Sequence, residues 1–170
     1  VTTLYGKQEG LTSEYVWSLA EGPDGSIWMA TIAGGVNRFK DGKFTAYTMR
    51  DGLPSNSVWA TLMARDGSLW IGSNGGGLSR MREGKFTNFT VLDGLTHDVV
   101  WRICEDHEGT IWIGTNRGLS KYRDGKIVKV TMIDDVDDVP VKTIYEDREG
   151  TLWIGTEGRG LVRYSGGRFT

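Results

Sequence analysis

Residues 66–73 read Asp-Gly-Ser-Leu-Trp-Ile-Gly-Ser, and this block decides the fold because it returns three times. DGSIWMAT stands at 24–31, EGTIWIGT at 108–115 and EGTLWIGT at 149–156. Trp28, Trp70, Trp112 and Trp153 therefore recur at intervals of 42, 42 and 41 residues. Other series keep the same phase. Trp17, Trp59 and Trp101 form one, with Lys142 in the fourth place. DGKFT (41–45), EGKFT (83–87), DGKIV (124–128) and GGRFT (166–170) form another. EGL (9–11), DGL (51–53) and DGL (93–95) form a third, replaced by DDV at 134–136. A fixed period of about 40–45 residues is the signature of a repeat architecture.

One repeat accommodates four short strands. In the second copy these are 58–64, 68–73, 77–82 and 85–91, called A to D from here on. Arg65-Asp66-Gly67 joins A to B and Glu83-Gly84 joins C to D. Acidic-Gly pairs suit tight hairpins, because glycine tolerates the positive φ that such turns require. No segment carries a 3.6-residue apolar stripe long enough for a helix. The expected fold is therefore all-β: a β-propeller of four-stranded antiparallel blades, four per chain. The blades fall at about 11–51, 53–93, 95–134 and 136–170. Thr3, Thr45, Thr87, Val128 and Thr170 are equivalent positions, so a terminal strand at 1–8 is expected to complete the fourth blade, from its own or a partner chain. An eight-bladed ring built by a homodimer is the expectation, with a four-bladed monomer as the alternative; bulky tryptophans on A and B favour the flatter joints of the larger ring.

Composition removes several function classes. The 170 residues carry a formal net charge of -2, with 25 Gly, 7 Trp and one cysteine, Cys104. No basic stripe points to nucleic acid. No run approaches the ~18 apolar residues of a membrane span, so this segment is expected to make no membrane contact. A start at Val1-Thr2-Thr3-Leu4-Tyr5 lacks the charged and apolar regions of a signal peptide. His97, His107 and Cys104 are too few for a structural zinc site. The acidic run Asp134, Asp135, Asp137 and Asp138 offers oxygen ligands for calcium without EF-hand spacing. No metal, cofactor or catalytic residue is assigned.

The repeat resembles that of the two-component regulator propellers. The resemblance rests on LWIGS (69–73) and LWIGT (152–156), on GGGL (75–78) and RGL (159–161), on the GKFT turn, and on DGL (51–53) followed, after four intervening residues, by Val58. It implies a ligand-sensing module of hybrid histidine kinases, outside the cytoplasmic membrane, with glycans as typical ligands. Sensors of that family carry more blades and further domains, so the chain looks like a fragment, a minimal relative or a reconstructed array.

Candidate ligand-binding residues follow from the expected topology. Strand A lines the propeller axis, and the D-to-A and B-to-C connections emerge on one face. Trp17, Trp59 and Trp101 lie near that face, where flat aromatic rings suit sugar stacking; packing between blades is the competing reading. Lys142, Arg117 and Arg159 could meet an anionic group, and Asn74 and Asn116 lie on the same loops, as do Asn56, His97 and Asp98. Trp28, Trp70, Trp112 and Trp153 are expected to be core between blades. Two other functions compete: a protein-interaction scaffold without a small ligand, and a lyase-like enzyme using His97 with Asp98.

Overall fold

The computed structural model describes residues 2–133 and 137–170. Among the described residues, sixteen strands form four antiparallel sheets, each meandering in chain order. Blade one holds β1 (Val16–Glu21), β2 (Ile27–Thr31), β3 (Gly35–Lys40) and β4 (Lys43–Tyr47). Blade two holds β5 (Val58–Met63), β6 (Leu69–Ser73), β7 (Leu78–Arg82) and β8 (Lys85–Phe89). Blade three holds β9 (Val100–Glu105), β10 (Ile111–Thr115), β11 (Gly118–Arg123) and β12 (Lys126–Val130). Blade four holds β13 (Val141–Glu146), β14 (Leu152–Thr156), β15 (Gly160–Ser165) and the short β16 (Arg168–Phe169).

Local chemistry sets these boundaries. Thr48 and Asp51 cap one another's backbone before a single 3-10 turn, and Thr90 with Asp93 repeats the arrangement. Gly52 and Gly94 then end each turn in the left-handed region. At Gly77, φ is 75°, and a Cβ would lie 2.2 Å from the carbonyl oxygen of Phe89, so only glycine fits there. The A-to-B turns are tied by Asp24 or Asp66, each accepting from the backbone N–H two residues on. In blades three and four, Asp106 and Asp147 do more: each carboxylate also accepts the indole N–H of Trp112 or Trp153, at 2.7 and 2.8 Å. The Trp153 bond, with the Thr151 N–H, holds the Asp147 carboxyl below its ordinary range.

The core sits between blades. Trp70, Leu78, Val100, Ile103 and Ile113 form one cluster across blades two and three. Trp28, Val36, Val58 and Ile71 form its counterpart across blades one and two, and Trp112, Leu119, Val141 and Ile154 across three and four. Trp28, Trp70 and Trp112 are buried, as their spacing predicts; Trp153 is only half-buried.

The alternative of a four-bladed monomer is corrected. The four blades of one chain form an open arc rather than a closed four-bladed ring: Leu19 in blade one is 64% exposed and Leu161 in blade four is 61% exposed, whereas their buried counterparts fill each internal joint. Within one chain residues 2–8 form no strand, since the edge of blade four that would pair with them lies at the other end of the arc. Residues 7–9 form a 3-10 turn instead, and Tyr5 packs on Phe39 and Phe44 of blade one, at 4.9 and 5.9 Å between ring centroids.

Candidate functional site

Strand A of every blade contains a β-bulge at one position. Pairing passes from Val16↔Thr31 to Ser18↔Ala30, from Val58↔Ser73 to Ala60↔Gly72, from Val100↔Thr115 to Arg102↔Gly114, and from Val141↔Thr156 to Thr143↔Gly155. The extra residues are Trp17, Trp59, Trp101 and Lys142. A bulge leaves its extra residue out of the ladder and re-aims its side chain. The valine before it stays in the core: Val58, Val100 and Val141 are fully buried.

These four side chains form a row across the arc. Trp17 and Trp59 lie 6.5 Å apart between centroids, tilted by 38°. Trp59 and Trp101 stack at 4.1 Å and 19°. The Lys142 ammonium then sits 3.2 Å from the Trp101 ring centroid, a cation–π contact that ends the row. Asn116 accepts the Trp101 indole N–H at 3.2 Å, and Glu157 pairs with Lys142 at 3.0 Å. Trp59 and Trp101 stay half-buried and Trp17 is exposed.

The B-to-C turns lie beside this row. Asn74, Asn116 and Glu157 each donate a backbone N–H to the segment leading into strand A, at Ser57, Val99 and Pro140. The two sets of connections thus share one face. Asn74, Arg117 and Arg159 are exposed there. Arg117 faces Asp138 at 3.7 Å, so both Arg117 and Lys142 already have a carboxylate neighbour. An anion clamp built from Lys142, Arg117 and Arg159 would have to displace these partners. Glu157 and the bulge itself escaped the sequence reading. A repeating valine–tryptophan pair, which breaks strict period-2 alternation at one phase, is the only trace a bulge leaves.

Other candidates have local roles. His97 Nδ1 accepts the Val99 N–H at 2.9 Å, and Asp98 accepts the Val91 N–H at 2.8 Å, as Asn56 does from Met49. His97 and Asp98 thereby shape their own loop and do not bond each other. Asp134 and Asp135 lie outside the described residues. Asp137 accepts the Met132 N–H at 2.5 Å and Asp138 faces Arg117 and Lys129. Among the described residues no group of three or more His, Cys, Asp or Glu side chains is placed to hold a metal ion. A cleft of about 470 Å³ lies on the opposite face, between blades two and three, lined by Arg65, Trp70, Arg80, His107 and Tyr122 among others. It is shallow, and Arg65, Arg80 and His107 in it are paired to Glu105, Asp66 and Glu146.

The profile of the two-component regulator propeller matches residues 10–33, 52–75, 94–117 and 135–158, more than half of the sequence. The chain belongs to the two-component regulator propeller family. Solved structures similar to this propeller include the extracellular domain of a protein assigned to a hybrid two-component system of B. thetaiotaomicron, with a TM-score of 0.79 and 24% identity. The match covers 97% of this chain and 23% of that one. A second such B. thetaiotaomicron domain gives a TM-score of 0.77 at 24% identity, over 92% of this chain and 22% of its own. Virginiamycin B lyase from Staphylococcus aureus gives 0.75 at 21% identity, over 92% of this chain and 54% of the lyase. This propeller thus spans about a quarter of the sensor domains and about half of the lyase. At such identities the likeness establishes the fold alone. No curated protein matches the sequence. Among the described residues, no helix is long and apolar enough to cross a membrane.

Proposed function

We propose that this two-component regulator propeller binds a ligand rather than transforming one, and that the ligand class is an oligosaccharide read outside the cytoplasmic membrane. The observation that carries this reading is the row Trp17–Trp59–Trp101–Lys142. Four bulges keep these residues out of the cores between blades, although a tryptophan on a strand is ordinarily buried. Indole faces suit the C–H faces of pyranose rings, and Asn74, Asn116 and Glu157 supply hydrogen-bonding groups beside them. The likeness to extracellular sensor domains supports the compartment, and the local bonds of His97 and Asp98 weigh against a lyase.

The test is a titration of tryptophan fluorescence with neutral and acidic oligosaccharides. A saturable change is expected for the wild-type chain, weakened about two- to tenfold in Trp59→Ala, since losing one aromatic stack removes about 0.5–1.5 kcal/mol. No saturable response across both sugar classes sinks the reading and leaves the scaffold function in its place.

A further inference from the structure

The two ends of the arc carry the two unlike halves of one joint. Inside the chain the three joints share one apolar core plan. The valine opening strand A of the following blade fills the space left by a small residue on strand B of the preceding one. A Cβ added at Gly72 would lie 2.5 Å from Val100 Cγ1, and one at Gly114 would lie 2.8 Å from Val141 Cγ1. The strand-C residues Val36, Leu78 and Leu119 are fully buried. An aromatic at the end of strand D reaches over the next blade: Tyr47 meets Phe86 at 6.2 Å and Phe89 meets Tyr122 at 5.8 Å. On the A-to-B turns of the second and third joints an ion pair adds a clip, Arg65 to Glu105 at 3.3 Å and His107 to Glu146 at 2.5 Å; the first joint has Pro23 and Met63 there.

Blade four presents the preceding half of this joint with nothing in it. Its small residue is Gly155, whose Cβ would meet only Thr143 of its own blade. Its strand-C residue is the exposed Leu161, and Trp153 is only half-buried. The β15–β16 ladder pairs Tyr164↔Phe169 and Ser165↔Arg168, and Thr170 exchanges two backbone bonds with Arg163. Leu161 and Val162 are left beyond it. Blade one presents the following half. Val16 is 41% exposed and Leu19 64%, while Val58, Val100 and Val141 are fully buried. Tyr5 already lies over Phe39, as Phe89 lies over Tyr122, and Leu4 beside it is 90% exposed.

We propose that a second copy of this chain covers both faces, with blade four of each copy seated on blade one of the other, so that two chains close a ring of eight blades. The register follows from blade one, where Arg38 pairs with Thr45, Asn37 with Ala46 and Val36 with Tyr47. One period further on, Thr170 holds Arg163, and Leu4 and Tyr5 of the partner subunit continue the strand along Val162 and Leu161. Val16 of the partner subunit enters beside Gly155. The turn clip recurs as well: Arg148 occupies the position of Arg65 and His107, and Glu21 that of Glu105 and Glu146, and both are exposed within one chain. Each joint pairs unlike faces, and two such joints close without leaving a free edge. Closure also brings Trp17 of the partner subunit next to Lys142, joining the two tryptophan rows. The closure stands whether or not the row binds a sugar.

The test is solution mass by light scattering on the 170-residue chain. Twice the 18.8 kDa monomer mass is expected. A single-chain mass for the wild type, or open-ended larger species, overturns the proposal; the faces would then belong to additional blades or to another protein. Leu19→Glu and Leu161→Glu each place a charge on one half of the joint, at side chains exposed in the monomer, and retained β-sheet circular dichroism checks their folding. Each variant alone is expected to dissociate, with affinity lowered at least about a hundredfold. Mixed together they are expected to associate again, because one of the two joints then pairs two unmodified faces. A dimer that survives both substitutions, or a mixture that stays monomeric, overturns the assignment of faces. Glu21→Arg and Arg148→Glu test the register: each is expected to weaken the dimer, and the two in one chain to restore it.

Discussion

His107 shows how far one residue's neighbours decide what it does. The sequence places it in an A-to-B turn, where a lone histidine suggests little. In the structure its Nδ1 lies 2.5 Å from Glu146 on the next blade, and the hydrogen bond that the protonated ring donates to the Glu146 carboxylate raises its pKa above the ordinary 6.5. The folded value therefore exceeds the unfolded one. The stabilisation supplied by protonated His107 is complete below about pH 6.5 and is lost as pH rises through the folded value. NMR titration should find His107 titrating above the ordinary histidine range in the wild type and back within it in Glu146→Gln. The stability gap between the two proteins should narrow on the alkaline side of the wild-type titration. A His107 titration unchanged by Glu146→Gln would disprove the pairing. Because the side chain is largely exposed, salt should weaken the effect. Its position was legible from the repeat; its partner was not, because Glu146 reaches it only once blade four is packed on blade three.

At the scale of the strand, the repeat made two tryptophan series equally visible and the structure gives them opposite surroundings. Trp70 on β6 is buried against Phe89 and Tyr122, with centroids 6.1 and 4.7 Å away. Trp59 on β5 stands on its bulge with only Trp17 and Trp101 for aromatic company. Periodicity shows that a residue recurs; it does not show which way a bulge turns it. Trp70→Ala is therefore expected to cost about 3–5 kcal/mol as a cavity in a joint. Trp59→Ala should cost about 1–2 kcal/mol, from lost stacking and partial burial. Urea unfolding with unchanged m-values would compare them. Equal losses would mean that the row is packing after all, and would remove the main support for a ligand platform. The C-to-D hairpins, by contrast, were readable from the sequence, because Asp41-Gly42, Glu83-Gly84 and Asp124-Gly125 take positive φ at both residues. The terminal segment forms no strand within one chain because a strand needs a neighbouring edge as well as a suitable sequence.

For the whole molecule, stability resides in joints between blades rather than within them, so equal residues need not carry equal weight. Leu78 and Leu161 hold the same place on strand C of blades two and four. Leu78 is fully buried against blade three, and Leu161 is exposed at the end of the arc. Leu78→Ala should thus cost about 2–5 kcal/mol at any protein concentration. Leu161→Ala should be nearly silent in dilute solution, where a lone arc leaves the side chain in water. If a second copy covers that face, association adds stability that grows with concentration, because only folded chains pair. The wild-type Tm should then climb between about 1 and 100 μM, by steps that follow the dimer's affinity. Leu161→Ala should flatten that climb, while Leu78→Ala should lower the whole curve without changing its slope. Thermal melts across the concentration series separate the cases. A wild-type Tm independent of concentration, with Leu161→Ala silent throughout, would mean that the arc's stability rests on its three internal joints alone.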